Sequence, residues 1–437
     1  MIETYEAALA FIHGRTQFKK SDQLRRMNAF MDRLGNPQRD LSIIHVAGTN
    51  GKGSTVAFLQ NLLVANGHTV GTFTSPFLMR FNERISINGE PISDADLLTL
   101  INVVKPVVNE LDASYPEGGP TEFEIITAMM FVYFKGRVDV AIVEVGIGGL
   151  LDSTNVLTPA VAVITTIGYD HMRLLGDTLP KIAAQKAGII KPKVPVVIGQ
   201  LPAAAKQVIQ QTAQRQAAPL YQPDSSYHTR LKPSAGWQER FDYEFNDVRY
   251  PDLQIQLLGD YQVANASSAL TAFLVYETQM QQKVQERTVK QALKETKWPG
   301  RFEAVVDDPL IVLDGAHNQP AMSELTRLVN ARFSDREVYV LFAVLADKQF
   351  EKMLAILLQI KHVHLVLTTF NGPGHRVVES PESLAKQYGD DSRIRVVEDW
   401  QLGIAQILRT MSADDLFLIT GSLYFISDVR HFFKDES

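Results

Sequence analysis

The chain has 437 residues, 45% hydrophobic and 21% charged, which suits two or three domains with ordinary cores. A formal net charge of −6 without a long basic run argues against general nucleic-acid binding, and the absence of cysteine excludes disulfides, zinc–thiolate sites, iron–sulfur clusters and a thiol nucleophile. The acidic start Met1-Ile2-Glu3-Thr4-Tyr5-Glu6 shows no signal peptide, and no run of about 18 apolar residues occurs, so a cytoplasmic protein without a membrane span is expected.

Residues 2–34 predict helices, with Tyr5, Ala8, Leu9 and Ile12 on one face and Leu24, Met27, Phe30, Met31 and Leu34 on another; Gly35-Asn36-Pro37 ends them. The stretch from Leu41 then reads as a buried strand, a glycine turn and a helix starting near Lys52. Gly48, Gly51 and Gly53 let the backbone approach a ligand that a Cβ would hold off. The helix start aims N–H groups and partial positive charge into the turn. At roughly 0.3–1 kcal/mol per contact, that dipole alone is not a nucleotide site. Lys52 adds a full charge, and Ser54 or Thr55 adds a hydroxyl suited to Mg²⁺, so the stretch reads as a phosphate-binding loop. It departs from the strict P-loop: only Thr49 and Asn50 separate Gly48 from Gly51, and Gly53 separates Lys52 from Ser54.

A second strand at Val70–Thr74 runs into the irregular segment Ser75–Arg84, which mixes Phe77 and Phe81 with Arg80 and Arg84. Two readings stand: a surface loop whose aromatics pack, or a loop that lays aromatic surface and positive charge against an aromatic, acidic ligand. Ser93 starts another helix, and Thr121-Glu122-Phe123-Glu124 forms a capping box ahead of Ile125–Phe134. Val138–Val145 is apolar and β-branched, as in a strand buried on both faces of a parallel sheet. Glu144, at its carboxyl end before Gly146-Ile147-Gly148-Gly149, reads as a metal ligand or half of a structural ion pair. Val161–Thr165 is a further strand, ending in Gly168-Tyr169-Asp170-His171; His171 reads as a metal ligand or a satisfied polar residue. The helix Thr178–Ile190 carries Lys186, by itself an ordinary solvated or snorkelling lysine. Val194–Ile198 is one more strand, residues 220–258 alternate as a small antiparallel appendage, and Gly259-Asp260-Tyr261-Gln262 opens a helix containing Asn265.

Lys297-Trp298-Pro299-Gly300-Arg301 breaks the preceding helix and predicts a hinge at 297–301. Strands follow at Leu310–Leu313, Val338–Ala343, His364–Thr368 and Leu416–Thr420, the first ending in Asp314-Gly315-Ala316-His317-Asn318 and the last in Thr420-Gly421-Ser422. The expected fold class is α/β. A P-loop-type, mainly parallel sheet domain at 1–296 bears the appendage, and a smaller Rossmann-like α/β domain occupies 302–437.

Together, His45–Ser54, Thr74-Ser75-Pro76, Phe81–Ile85, Glu144-Val145-Gly146, Asp152–Asn155, Asp170-His171, Lys186-Ala187-Gly188, Pro299-Gly300-Arg301, Asp314–Asn318 and Thr420–Ser422 resemble the folylpolyglutamate synthase/dihydrofolate synthase family, relatives of the Mur peptide ligases. The resemblance spans essentially the whole chain, and the loop with the inserted Gly53 is that family's variant. It implies an ATP- and Mg²⁺-dependent ligase that adds L-glutamate to the γ-carboxylate of a folate through an acyl phosphate. It also implies that Gly48, Thr49, Asn50, Gly51, Lys52, Gly53 and Ser54 bind the triphosphate of ATP, with Asn265, Arg301 and Asp314 as further nucleotide residues. Ser75 and Glu144 match ligands of one Mg²⁺ and His171 a ligand of a second, while Lys186 matches a lysine carried as a carbamate. Lys52, Lys186 and His317 take the catalytic positions; Phe77, Arg84 and Ser422 take substrate positions, Ser422 with His317 on the glutamate side. Phe77 stands where many members carry His, Leu150 where many carry Arg, and Tyr261 where His is common. The partners expected are folate and L-glutamate, with no nucleic acid and no membrane, acting on a monomer. Two alternatives use the same loop: a Mur-type ligase of UDP-muramyl peptides, which would normally carry an additional domain for the UDP-sugar that is not expected ahead of Leu41, and a P-loop ATPase without ligase chemistry.

Overall fold

The computed structural model describes residues 1–16, 23–115, 118–372, 376–386, 388–389 and 391–435. The expected helical stretch 2–34 forms helices Tyr5–His13 and Gln23–Arg33, and 17–22 lie outside the described residues, as do several positions of the expected second domain (373–375, 387, 390, 436 and 437).

In the first compact unit, the strands are β1 (Ile43–Ala47), β2 (Val70–Phe73), β3 (Ile85–Ile87), β4 (Glu90–Pro91), β5 (Val140–Glu144), β6 (Val161–Ile164), β7 (Val196–Ile198) and β8 (Leu220–Tyr221). They form one eight-stranded sheet in the order β4-β3-β2-β5-β1-β6-β7-β8. Pairing is parallel from β2 to β8 and antiparallel only at β2–β3 and β3–β4. Every residue of β1, β5 and β6 is buried, which is why these strands are apolar throughout except for His45 and Glu144. The register sets Val46 beside Glu144, Phe73 beside Val143 and Ala47 beside Ile164. The carboxyl ends of β2, β5, β1 and β6 therefore lie side by side, on the edge where open α/β sheets bind ligands.

Helix Glu122–Phe134 begins with the expected capping box: Thr121 Oγ1 accepts from the Glu124 N–H, and Glu124 Oε2 accepts from the Thr121 N–H at 2.8 Å. Glu124 is also fully buried against Arg26, whose Nε and Nη2 each donate to it at 2.8 Å. Removing one partner of a buried ion pair strands the other charge, so Glu124→Ala is expected to lower stability by about 3–5 kcal/mol. Urea denaturation checks this; a loss below about 1 kcal/mol contradicts it.

Three antiparallel strands, β9 (Tyr227–Lys232), β10 (Glu239–Phe245) and β11 (Val248–Ile255), form the appendage in the order β11-β10-β9. Its expected start at 220 is corrected: Leu220–Tyr221 pairs parallel with β7 as the last strand of the large sheet. The helix expected at Thr178–Ile190 also ends sooner, at Lys186, and continues as a 3-10 turn over Ala187–Ile189.

The second unit contains residues 297–437 together with 235–239 and 256–261. The last two pieces were expected in the first domain; they belong here because Trp237 stacks on Phe302, with centroids 5.7 Å apart, and Leu258 joins the same core. Its strands are β12 (Glu303–Asp307), β13 (Leu310–Asp314), β14 (Val338–Phe342), β15 (Val363–Thr369), β16 (Ile394–Asp399) and β17 (Leu416–Thr420), in the order β12-β13-β17-β14-β15-β16. Only β12 pairs antiparallel. The edge strands β12 and β16 were not anticipated, since neither is fully buried and neither carries a clear apolar period.

Candidate functional site

In the first unit the loop between β1 and helix Lys52–Ala65 is held by the end of β6. The Thr49 N–H donates to Thr166 O at 2.8 Å and the Asn50 N–H to Thr166 Oγ1 at 2.9 Å. Thr165 Oγ1 and Thr166 Oγ1 both donate to Asn50 O, at 2.5 and 3.0 Å. Thr165 and Thr166 were not singled out as site residues; their signal was two hydroxyls at a strand's carboxyl end. Gly51 caps the helix with φ of +81° and no side-chain cap, so the N–H groups of the first turn have no capping side chain. A Cβ on Gly48 would collide with Thr165 Oγ1, and one on Gly51 with Asn265 Oδ1. Asn265 thus sits against the loop, oriented by its own Nδ2 bond to Gln262 Oε1 at 3.0 Å.

Lys52 Nζ lies 3.3 Å from Gly48 O, 3.4 Å from Thr49 O and 3.8 Å from Glu144 Oε1. Glu144 is 4% exposed, and its Oε2 accepts from the Ser75 N–H at 3.2 Å. The β2–β5–β1 pairing thereby unites three residues that the sequence separates. Lys186 is 3% exposed, and burial first, then the nearby Lys52 charge, lower its amine to about 7, against the opposing pull of Asp170 and Asp152. His171 follows in the same loop, its Nε2 3.9 Å from Asp170 Oδ2. Asp152, also without a predicted role, is buried and accepts from the Ile147 N–H at 2.9 Å and from Thr154 Oγ1 at 2.6 Å, which shapes the glycine turn after Glu144.

Among the described residues, no group of three or more His, Asp or Glu side chains could hold a metal by itself. A hard cation such as Mg²⁺ needs less: one or two carboxylates, with water and substrate phosphate completing its shell. The buried Glu144 carboxylate, beside the phosphate loop, fits that requirement.

In the Ser75–Arg84 segment Phe81 is core, while Phe77 is partly buried against it. The Arg84 guanidinium lies over both rings, 5.2 Å from the Phe77 centroid and 5.6 Å from that of Phe81. Glu83 fixes the loop by accepting from the N–H groups of Leu78, Met79 and Arg80 at 2.8–3.2 Å.

The second unit presents its own polar edge. Asp314 and Thr420 pair across β13 and β17 at their carboxyl ends. Asp314 is buried, which raises its carboxyl above the usual range, while Arg301 and the N–H groups of Phe302 and Ala316, both at 2.9 Å, oppose that rise. His317 Nδ1 sits 2.8 Å from Gly315 O, and the buried Ser422 Oγ accepts from the Tyr424 N–H at 3.3 Å.

The chain matches the Mur ligase middle domain over residues 46–273 and the Mur ligase glutamate ligase domain over residues 300–423. It is 40% identical to the dihydrofolate synthase/folylpolyglutamate synthase of Bacillus subtilis, over 98% of this chain and 99% of the relative. It is 39% identical to the folylpolyglutamate synthase of Lacticaseibacillus casei, over 98% of each. Among solved structures, an FPGS–AMPPCP–folate complex superposes with a TM-score of 0.87 at 38% identity, covering 98% of this chain and 99% of the other. Mycobacterium tuberculosis folylpolyglutamate synthase complexed with ADP superposes at 0.90 and 31% identity, covering 98% of each chain. The chain belongs to the folylpolyglutamate synthase/dihydrofolate synthase family.

Proposed function

We propose that the protein is an ATP-dependent ligase that joins L-glutamate to the γ-carboxylate of a folate through an acyl phosphate. The observation that carries this reading is one sheet edge with a glycine loop at a helix start, Lys52 beside a buried Glu144, and a buried Lys186. A carboxylate oxygen of the folate attacks the γ-phosphorus of ATP, and the bond to ADP breaks. The amine nitrogen of glutamate then attacks the acyl carbon, loses a proton, and phosphate departs with the carboxylate oxygen that carried it.

Both reactants of the first step are anionic, so positioning and charge dominate. The loop residues Gly48–Ser54 bind the triphosphate, with Lys52 on its oxygens and Asn265 beside Gly51. Ser75 and Glu144 would hold one Mg²⁺ and His171 a second, supplying positive charge to the phosphate oxygens. Arg301 and Asp314 serve the nucleotide, His317 and Ser422 the glutamate, and Phe77 with Arg84 the aromatic and acidic parts of the folate. The active species is taken to be a cytoplasmic monomer; among the described residues no helix is long and apolar enough to cross a membrane.

Lys186 fits a carbamate. Its amine is buried and titrates near 7, so above that pH it is a neutral nucleophile. It adds to the carbon of CO₂, giving a carbamate anion and releasing a proton. With isotope-labelled CO₂, a carbamate carbon resonance is expected to grow as pH rises through about 7 and to be absent from Lys186→Met; a signal independent of pH, or retained in the variant, contradicts the assignment.

Phosphate release with ATP and glutamate, with tetrahydrofolate, dihydropteroate or UDP-muramyl peptide supplied in turn, tests the substrate. Release is expected with the folate and lost when glutamate is omitted. Release that ignores both would identify a simple ATPase.

A further inference from the structure

The turn that carries Arg301 is strained. Gly300 has φ of +74° and Phe302, a bulky residue, φ of +45°, so left-handed residues flank the arginine. A non-glycine residue persists there only where its surroundings over-determine it, and such positions cluster at functional sites. The surroundings here are specific. Phe302 is 2% exposed, its ring stacked on Trp237 and 5.9 Å from Phe333, and its N–H donates to Asp314. Gly300 O accepts from the Gly315 N–H at 2.9 Å. Arg301 Nη1 lies over Gly315, where a Cβ would collide with it.

One further support comes from a distant helix. Glu303 Oε2 accepts from the Gly300 N–H at 2.8 Å. The same carboxylate takes a two-pronged ion pair from Arg430, with Nε at 3.0–3.1 Å and Nη2 at 2.9 Å. Arg430 is 6% exposed, in the helix Leu423–Asp435 that follows Ser422. A bidentate guanidinium fixes the plane of a carboxylate, and here that carboxylate fixes the Pro299–Gly300 peptide, at the entry to the turn that carries Arg301.

We infer that Glu303 and Arg430 are a positioning pair for nucleotide binding: together they lock the left-handed turn that presents Arg301. The inference rests on the nucleotide role given to Arg301 above. Neither residue need touch ATP.

The test is calorimetric titration of the full-length protein with AMPPCP and Mg²⁺, for wild type, Arg301→Ala, Glu303→Gln, Arg430→Met and the double variant Arg301→Ala/Glu303→Gln. Glu303→Gln and Arg430→Met are each expected to weaken AMPPCP binding about tenfold, leaving the KM for glutamate within about twofold. If the pair acts through Arg301, the double variant binds no more weakly than Arg301→Ala alone; losses that multiply mean a general structural role and overturn the inference. Wild-type affinity in Glu303→Gln alongside weakened Arg301→Ala overturns it while sparing the role of Arg301. Wild-type affinity in Arg301→Ala removes that role and the inference with it. Should Arg430→Met fail to fold, Arg430→Lys, which keeps the charge without the fork, is expected to fall between wild type and Glu303→Gln; full affinity there contradicts the inference.

Discussion

Lys52→Ala is expected to lower the rate of glutamate addition by about 10²–10³, with the fold intact. The protein's own partners for Nζ are two carbonyls at 3.3 and 3.4 Å and the Glu144 carboxylate at 3.8 Å, long contacts that suit a cation oriented toward an incoming anion. Removing it costs the fold little, because Glu144 keeps the Ser75 N–H and the loop keeps its bonds to Thr165 and Thr166. Attack of a carboxylate on a triphosphate brings like charges together, and the lysine offsets that repulsion where it grows. Steady-state kinetics and a thermal melt check both halves. A variant retaining more than about a tenth of the wild-type rate, with an unchanged melting temperature, denies Lys52 this role.

Gly48→Ala carries the second large effect, by another route. The new Cβ would collide with Thr165 Oγ1, the hydroxyl that donates to Asn50 O at 2.5 Å. Neither side can yield easily: Thr165 follows the buried strand β6, and its N–H is itself committed to Ala47 O at 2.9 Å. The loop must move, and overpacking of this kind costs about 1–3 kcal/mol. If the loop takes up that strain, ATP affinity falls about tenfold to a hundredfold, while global stability changes by less than the full penalty. Calorimetric titration with ATP analogue and a urea melt separate the two. Unchanged affinity would mean that the close approach of Gly48 to β6 is not what shapes the phosphate site.

The parts legible in the sequence are those whose cause is local. The strand–loop–helix at Ile43–Ala65 follows from an apolar run, three glycines and a periodic helix, and the capping box at Thr121–Glu124 from residues three apart. Pairings between distant segments were not legible. Glu124 shows its cap in the sequence but not its ion pair with Arg26, on a helix 98 residues earlier. Glu144 meets Ser75 only because β5 lies beside β2 in the sheet, an order that no periodicity reveals. By composition alone Lys186 is an ordinary solvated lysine, and only the family resemblance marks it as a carbamate position; its burial and lowered amine come from tertiary packing, as do the bonds that tie the loop to Thr165 and Thr166. Fold class follows from pattern; site chemistry follows from which strand ends become neighbours, and that is settled by tertiary pairing.

The acyl phosphate is the centre of the account, and the fate of one oxygen tests it most directly. With the γ-carboxylate of the folate labelled with heavy oxygen, each turnover with ATP and glutamate should place one labelled oxygen in the released phosphate, because the oxygen that attacks phosphorus leaves with it. Phosphate free of label, with glutamate nonetheless added, would contradict it.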